Sequence, residues 1–289
     1  GIEPEEFDEQ GLLKFVSDQD GTQEDETTNG VFAPWAIYKE DFQGVGGHDP
    51  LFAPQSKEDS DIFNRFVLAG YDLIQTWKGF VYHMTSRGSR FKDGAMRNPE
   101  GQVFMKGRES DEWLKQNIRS TRNFIRKWGT MVMHDKFLKP VISPKYNIGF
   151  IIKNCKMSHI ISLEPWCSVL YVDLKQEDIN KYIQETQQET LYDLSKRVAL
   201  LIDFDFLATK GVDDEGEPET TELTDLSGKS EDASKGYWLS ESTHDVLVEV
   251  DGSKLENKHF EFIQSLPYII QDTNDLGKFT YDIFDITIN

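Results

Sequence analysis

The sequence predicts an α/β protein in two parts, the second an α+β unit of the β-α-β-β-α-β, ferredoxin-like kind. Three observations predict it. At 289 residues the chain is long enough for two compact domains, or one large one with insertions. Apolar residues make up 38% and aromatics 12%, a load that builds a core and excludes a mainly disordered chain. The third observation is an internal match. A strand at 169–173, a helix at 177–188 and a strand at 197–204 align, in the same order, with segments 246–251, 258–271 and 278–288. Each set ends its first strand in Val-Asp, at Val172-Asp173 and Val250-Asp251, 78 residues apart. Two such βαβ units in tandem give the split order of a ferredoxin-like sandwich. A chance likeness between two amphipathic units is the alternative.

Taken in order, residues 1–29 are acidic, with one weakly amphipathic stretch at 7–16 that reads as a peripheral helix or loop. Residues 31–38 read as a short buried strand, followed by a glycine turn at 44–50. Ile62, Phe63, Phe66 and Val67 fall at helical spacing behind a run of acids, and Gly70 closes that helix. Segments 71–76 and 79–83 are strand-like pieces around a turn. The polar, Gly- and Arg-rich stretch 84–107 is long for a loop in a compact domain, and length of that kind points to function or motion. A basic helix follows over 110–128, stopped by Gly129. Residues 148–152 form an apolar strand and 157–163 a short helix. The change of pattern sets the domains at 1–155 and 156–289. Residues 209–236, crowded with Asp, Glu, Ser, Thr and Gly, cannot bury enough surface to order themselves and read as a solvated acidic loop.

Charge narrows the partners. The net charge of −20 argues against a protein that coats nucleic acid or an anionic membrane. It is unevenly spread, with a net −12 over 1–60, +10 over 61–160 and −18 over 161–289. A basic middle between acidic flanks either serves an anion site or is neutralised internally. No apolar run reaches the roughly 18 to 20 residues of a membrane span. The acidic start also lacks the basic and apolar parts of a signal peptide, so a cytoplasmic location is expected. Cys155 and Cys167 are too few for a disulfide framework and read as free, buried thiols. Phosphate-binding glycine loops, zinc-ligand spacings and a nucleophile elbow are absent.

The most informative stretch is Gly44 to His83. Gly46-Gly47-His48-Asp49, then Lys57-Glu58-Asp59-Ser60-Asp61-Ile62-Phe63-Asn64-Arg65, then Ala69-Gly70-Tyr71 and Val81-Tyr82-His83, resemble in order and spacing the acceptor-side half of inverting glycosyltransferases of the GT-A fold, family 2 type. The resemblance covers about residues 30–130. It implies a Gly-Gly-x-Asp turn, Gly47 and Asp49, touching the acceptor, and a Glu-Asp pair, Glu58 and Asp59, supplying the catalytic base. It also implies that His83 helps hold a divalent metal, Mn or Mg.

The chemistry is consistent with these residue types. Inverting transfer to a hydroxyl needs one carboxylate within hydrogen-bond reach of the acceptor oxygen, and Asp59 at a helix start is placed for it; as a plain first-turn acid it would serve the helix alone. Asp49 either meets sugar hydroxyls or makes an ordinary Asx turn. Trp35 either stacks on a sugar or belongs to the core. Arg87 and Arg90 match the oxygens of a diphosphate. Arg119, Arg122 and Arg126, on one helix face, either line the same anion site or pair with the acidic N-terminal segment. Enzymes of this type open with a nucleotide-binding βαβ half bearing Asp-x-Asp at a strand end. Asp18-Gln19-Asp20 has the letters but lies too near Asp59, so the donor half is expected to be missing. The partners implied are a nucleotide sugar and a hydroxyl acceptor, glycan or lipid. The rival reading is a noncatalytic binding or assembly module derived from such an enzyme.

Overall fold

The computed structural model describes residues 7–19, 27–29, 34–76, 79–82, 95–97, 103–105, 111–201, 244–273 and 275–289. The chain divides into two compact units, one of residues 1–124 with 131–142, the other of 125–130 with 143–289. The expected break at 155 falls just past a strand that belongs to the second unit. Segments 84–94 and 209–236 lie outside the described residues, as do residues 31–33 of the expected first strand.

In the first unit, α1 (Glu9–Gln19) and α2 (Lys39–Gly44) precede the helix that matters most, α3 (Glu58–Leu68). Its apolar stripe, Ile62, Phe63 and Phe66, is buried against Trp35, Ile37, Phe42, Val45 and Leu73. Gly70, at φ +84°, takes the left-handed conformation that ends it. Residues 35–38, expected as a strand, belong to no strand among the described residues. Instead β1 (Thr27–Asn29) pairs antiparallel with β2 (Ile74–Thr76), and β3 (Ala95–Arg97) with β4 (Val103–Met105), inside the stretch expected as a plain loop. The long helix α4 (Asp111–Trp128) stops at Gly129, φ +78°. Among the described residues no helix is long and apolar enough to cross a membrane.

The second unit is built on a mixed sheet of six strands. In chain order come β5 (Ile148–Lys153), α5 (Met157–Leu163), β6 (Val169–Val172), α6 (Gln176–Thr186), β7 (Val198–Leu200), β8 (Val246–Asp251), α7 (His259–Asp272), β9 (Gly277–Tyr281) and β10 (Phe284–Ile288). The spatial order is β7-β6-β5-β8-β10-β9, the first four parallel and β10 antiparallel to both its neighbours. This corrects the ferredoxin-like expectation. The two aligned units do share one sheet, but β5 lies between β6 and β8 and pairs parallel with each. Five of its six residues are buried, as in a strand covered on both faces, and that burial places it at the centre of a parallel sheet. The segment expected as one strand at 278–288 is a hairpin, turned at Asp282 with φ +52°.

One face of the sheet carries Ile148, Phe150, Ile152, Leu170, Val172, Val246, Val248, Val250, Phe284 and Ile286, and α5, α6 and α7 pack their apolar residues into this layer. Phe262 of α7 stacks on Tyr281 and Phe284. The other face has a smaller cluster of Ile151, Tyr171 and Leu247. Its rim is polar: the buried His244 ring bridges Tyr171 Oη at 3.0 Å and Asn147 Oδ1 at 3.1 Å, over the space left by Gly149.

Candidate functional site

The glycine turn and the start of α3 are tied together by one arginine. Arg65, two turns into α3, donates from Nη2 to Gly47 O at 2.6 Å and from Nη1 to Val45 O, so the helix holds the turn by its carbonyls. The same guanidinium meets Asp61 Oδ2, from Nε at 3.0 Å and from Nη2 at 2.8 Å. Asp61 is fully buried, and this pair neutralises it. Gly47 has φ +65°, and a Cβ there would stand 3.2 Å from the Phe42 ring. Asp49 Oδ1 accepts from Leu51 N at 2.9 Å and so caps the short 3-10 turn Pro50–Phe52. Trp35 is half-buried and meets Phe42, His48, Phe63 and Phe66 edge-on or tilted, which makes it part of the apolar support under α3.

Asp59 is the second residue of α3 and is not its cap. The capping position belongs to Lys57, which offers no side-chain bond and has φ +73°; Ser56 before it has φ +81°. Two successive non-glycine residues in the left-handed region cost roughly 1 to 2 kcal/mol each, and surrounding contacts must hold them there. Those contacts come from α4. Gln116 Nε2 donates to Gln55 O at 3.0 Å and lies 3.4 Å from Ala53 O, and Ser120 Oγ donates to Gln55 O at 3.2 Å. Ser56 Oγ donates to Asn117 Oδ1 at 2.9 Å, and the buried Asn123 donates to Leu51 O. The half-buried Asp59 has no hydrogen-bond partner among the described residues, and Glu58 Oε2 is buried without one. In sequence α4 stands out by its arginines, whereas Gln116, Asn117, Ser120 and Asn123 signal their role only by falling at helical spacing along it.

In the second unit the polar side chains gather at the carboxyl edge of the parallel strands. Asn154, just after β5, has φ +52° and is gripped from both neighbours. From the end of β6, Asp173 accepts the Asn154 amide at 2.6 Å and the Cys155 amide at 2.8 Å. From the end of β8, Asp251 Oδ1 accepts from Asn154 Nδ2 at 3.0 Å and from the Ser253 amide at 2.9 Å. Hydrogen bonds from Ser253 and Asn154 hold the Asp251 carboxyl down at about 2. Gly252 fits beneath because it lacks a side chain: a Cβ would lie 2.8 Å from both Asn154 O and His159 Nδ1. This edge, where strand order reverses about β5, is the place where open α/β sheets take ligands.

The arginines of α4 have different fates. Arg126 is 1% exposed and makes a bidentate pair with the fully buried Glu164, at 3.0 and 2.6 Å. Arg197 joins from the start of β7 and Tyr182 Oη donates to the same carboxylate at 3.0 Å. Burial alone would raise the Glu164 pKa, but Arg126 and Arg197 outweigh it and hold it at about 2. Arg126 therefore belongs to a structural ion cluster; Arg119 reaches toward Ala53 O at 3.4 Å. Both cysteines are free and buried, and burial pushes each thiol up to about 12, so neither is a nucleophile at neutral pH.

His83, Arg87, Arg90 and Asp20 lie outside the described residues. Among the described residues no group of three or more His, Cys, Asp or Glu comes together to hold a metal ion. The described acids near α3 do not by themselves fit a Mn or Mg site. Searched against family models, curated proteins and solved structures, the chain finds no match in any of the three.

Proposed function

We propose that the protein is a glycosyltransferase of the inverting, GT-A-like kind, moving a sugar from a nucleotide sugar to a hydroxyl of a glycan or lipid acceptor. The observation that carries the reading is the division of labour among the acids opening α3. Asp61 is buried and spent on Arg65, whereas Asp59 keeps its carboxylate unpartnered among the described residues. A general base needs a lone pair that nothing else claims and a position that does not wander. Asp59 has the first, and the clamped loop before it supplies the second. In this reading Asp59 takes the proton from the acceptor hydroxyl as the oxygen attacks the anomeric carbon, and the nucleoside diphosphate leaves from the opposite face. Glu58 stands beside it. Gly47 and the turn around it form the acceptor side, with Trp35 and Asp49 supporting that turn from beneath rather than touching the sugar, and His83, Arg87 and Arg90 are assigned to the leaving diphosphate and its metal.

Incubation of the protein, supplied with a nucleotide-binding donor half, with a panel of uridine and guanosine diphosphate sugars, Mn²⁺ and simple glycosides tests the proposal. Acceptor-dependent release of nucleoside diphosphate is expected, with a product of inverted anomeric configuration by NMR. Retention of configuration would overturn it.

A further inference from the structure

We propose that Gln116 and Ser120 of α4 are positioning residues, setting where Asp59 stands through the backbone of Gln55–Lys57. The inference rests on the reading of Asp59 as the base and adds residues that no motif points to. Its basis is a chain of contacts within the first unit. Gln116 Nε2 lies between Gln55 O at 3.0 Å, Ala53 O at 3.4 Å and Ser120 Oγ at 2.9 Å. Ser120, fully buried, donates to Gln55 O at 3.2 Å, so one carbonyl receives two side chains of α4. Arg119 approaches Ala53 O, and Asn117 accepts from Ser56.

The next two residues, Ser56 and Lys57, hold φ +81° and +73°, and α3 begins at Glu58. An unstrained turn would keep its shape without help. This one, left-handed twice over without glycine, relaxes once its carbonyls are released. Relaxation rotates the entry to α3, because Lys57 has no side-chain cap to hold it. Asp59 is one residue further on, and it is carried by that first turn alone. A displacement of about 1 Å at a reacting group lowers turnover by roughly 10². By contrast Asp61 is fastened independently by Arg65, so the body of α3 stays in place when the loop is freed.

The test uses Gln116→Leu, with Ser120→Ala as the milder variant should the first not fold. Two readouts are taken. By amide exchange followed by NMR, the Asp61 amide, which donates to Lys57 O at 2.9 Å, should exchange at least tenfold faster in either variant while those of 63–66 stay protected; unchanged exchange at Asp61 overturns the inference whether or not activity is known. By turnover, kcat should fall roughly 10- to 100-fold with KM for the nucleotide sugar unchanged, and Gln116→Glu, which keeps the length but loses the donor, should not rescue it. In an Asp59→Asn background Gln116→Leu should cost nothing further, since it acts through that carboxylate. An undiminished second loss would overturn the positioning role while leaving the transferase reading intact. Full turnover by Asp59→Asn alone would instead bring down the reading on which it rests.

Discussion

Arg65 and Asp61 form a 2.8 Å ion pair one turn apart on α3, and the pair sets Asp61 apart from Asp59, which has no hydrogen-bond partner among the described residues. The guanidinium also donates to the carbonyls of Val45 and Gly47, so the pair fixes the glycine turn as well.

Asp61→Asn should therefore destabilise the protein, by about 1 to 3 kcal/mol in urea unfolding, because a buried carboxylate is lost and Arg65 keeps only a neutral acceptor. Since Arg65 is 18% exposed, the lower end of that range is expected. Asp59→Asn removes no partnered group and should stay within about 0.5 kcal/mol of the parent. Equal losses in the two variants would deny the division between them.

The second unit should lose stability in acid through Glu164. Its folded pKa of about 2 lies below the ordinary 4.5, so the folded form holds the proton less tightly than the unfolded chain. The contribution is complete above about pH 5 and disappears as the pH falls toward 2, and a shift of this size is of the order of 3 kcal/mol. Asp251, also held at about 2 but exposed, acts in the same direction. Glu164→Gln should flatten the stability profile between pH 5 and 2 and cost about 3 to 5 kcal/mol at pH 7, because Arg126 would remain buried without a counter-charge. An unchanged pH profile would contradict the cluster's role.

How much of this was readable in the sequence depends on what each element rests on. Helix α5 begins and ends where its apolar spacing says, and α7 lies within a residue of expectation at either end, because burial of a helical stripe leaves its mark in one chain. The Val-Asp ends of β6 and β8 were visible for the same reason. The place of β5 was not. Self-alignment finds units that look alike, and β5, matching neither, is fixed only by pairing between residues about 20 and 100 apart in sequence. The hairpin at Asp282 escaped because its turn lacks the Asn-Gly or Gly-Gly signal. Likewise Lys57 and Ser56 carry no sign of a left-handed backbone; their conformation is imposed by side chains of α4 some 60 residues on.

Glycines at the sheet edge give a sharp test of the second unit. Gly252→Ala puts a Cβ 2.8 Å from the backbone oxygen of Asn154, which cannot turn aside as a side-chain tip would. A loss of about 1 to 3 kcal/mol is expected by denaturant unfolding. Gly149→Ala meets the His244 ring at 2.8 Å, and His244 is pinned at both nitrogens, so a similar loss is expected there. Neutral effects at both sites would count against the packing described.

The thiols should be silent in the native protein. With Cys155 and Cys167 buried and each raised to about 12, Ellman's reagent should label neither at pH 8 and both after unfolding in guanidinium. Rapid native labelling of either would show that its surroundings open.

The most direct test of the transferase account is turnover by Asp59→Asn, measured as nucleoside diphosphate release from the nucleotide sugar the parent protein uses, with folding checked by circular dichroism. The account predicts a fall of roughly 10² to 10⁴ in kcat, typical of losing a general base, with KM and unfolding midpoint little changed. Near-parental turnover by a folded Asp59→Asn protein would contradict it.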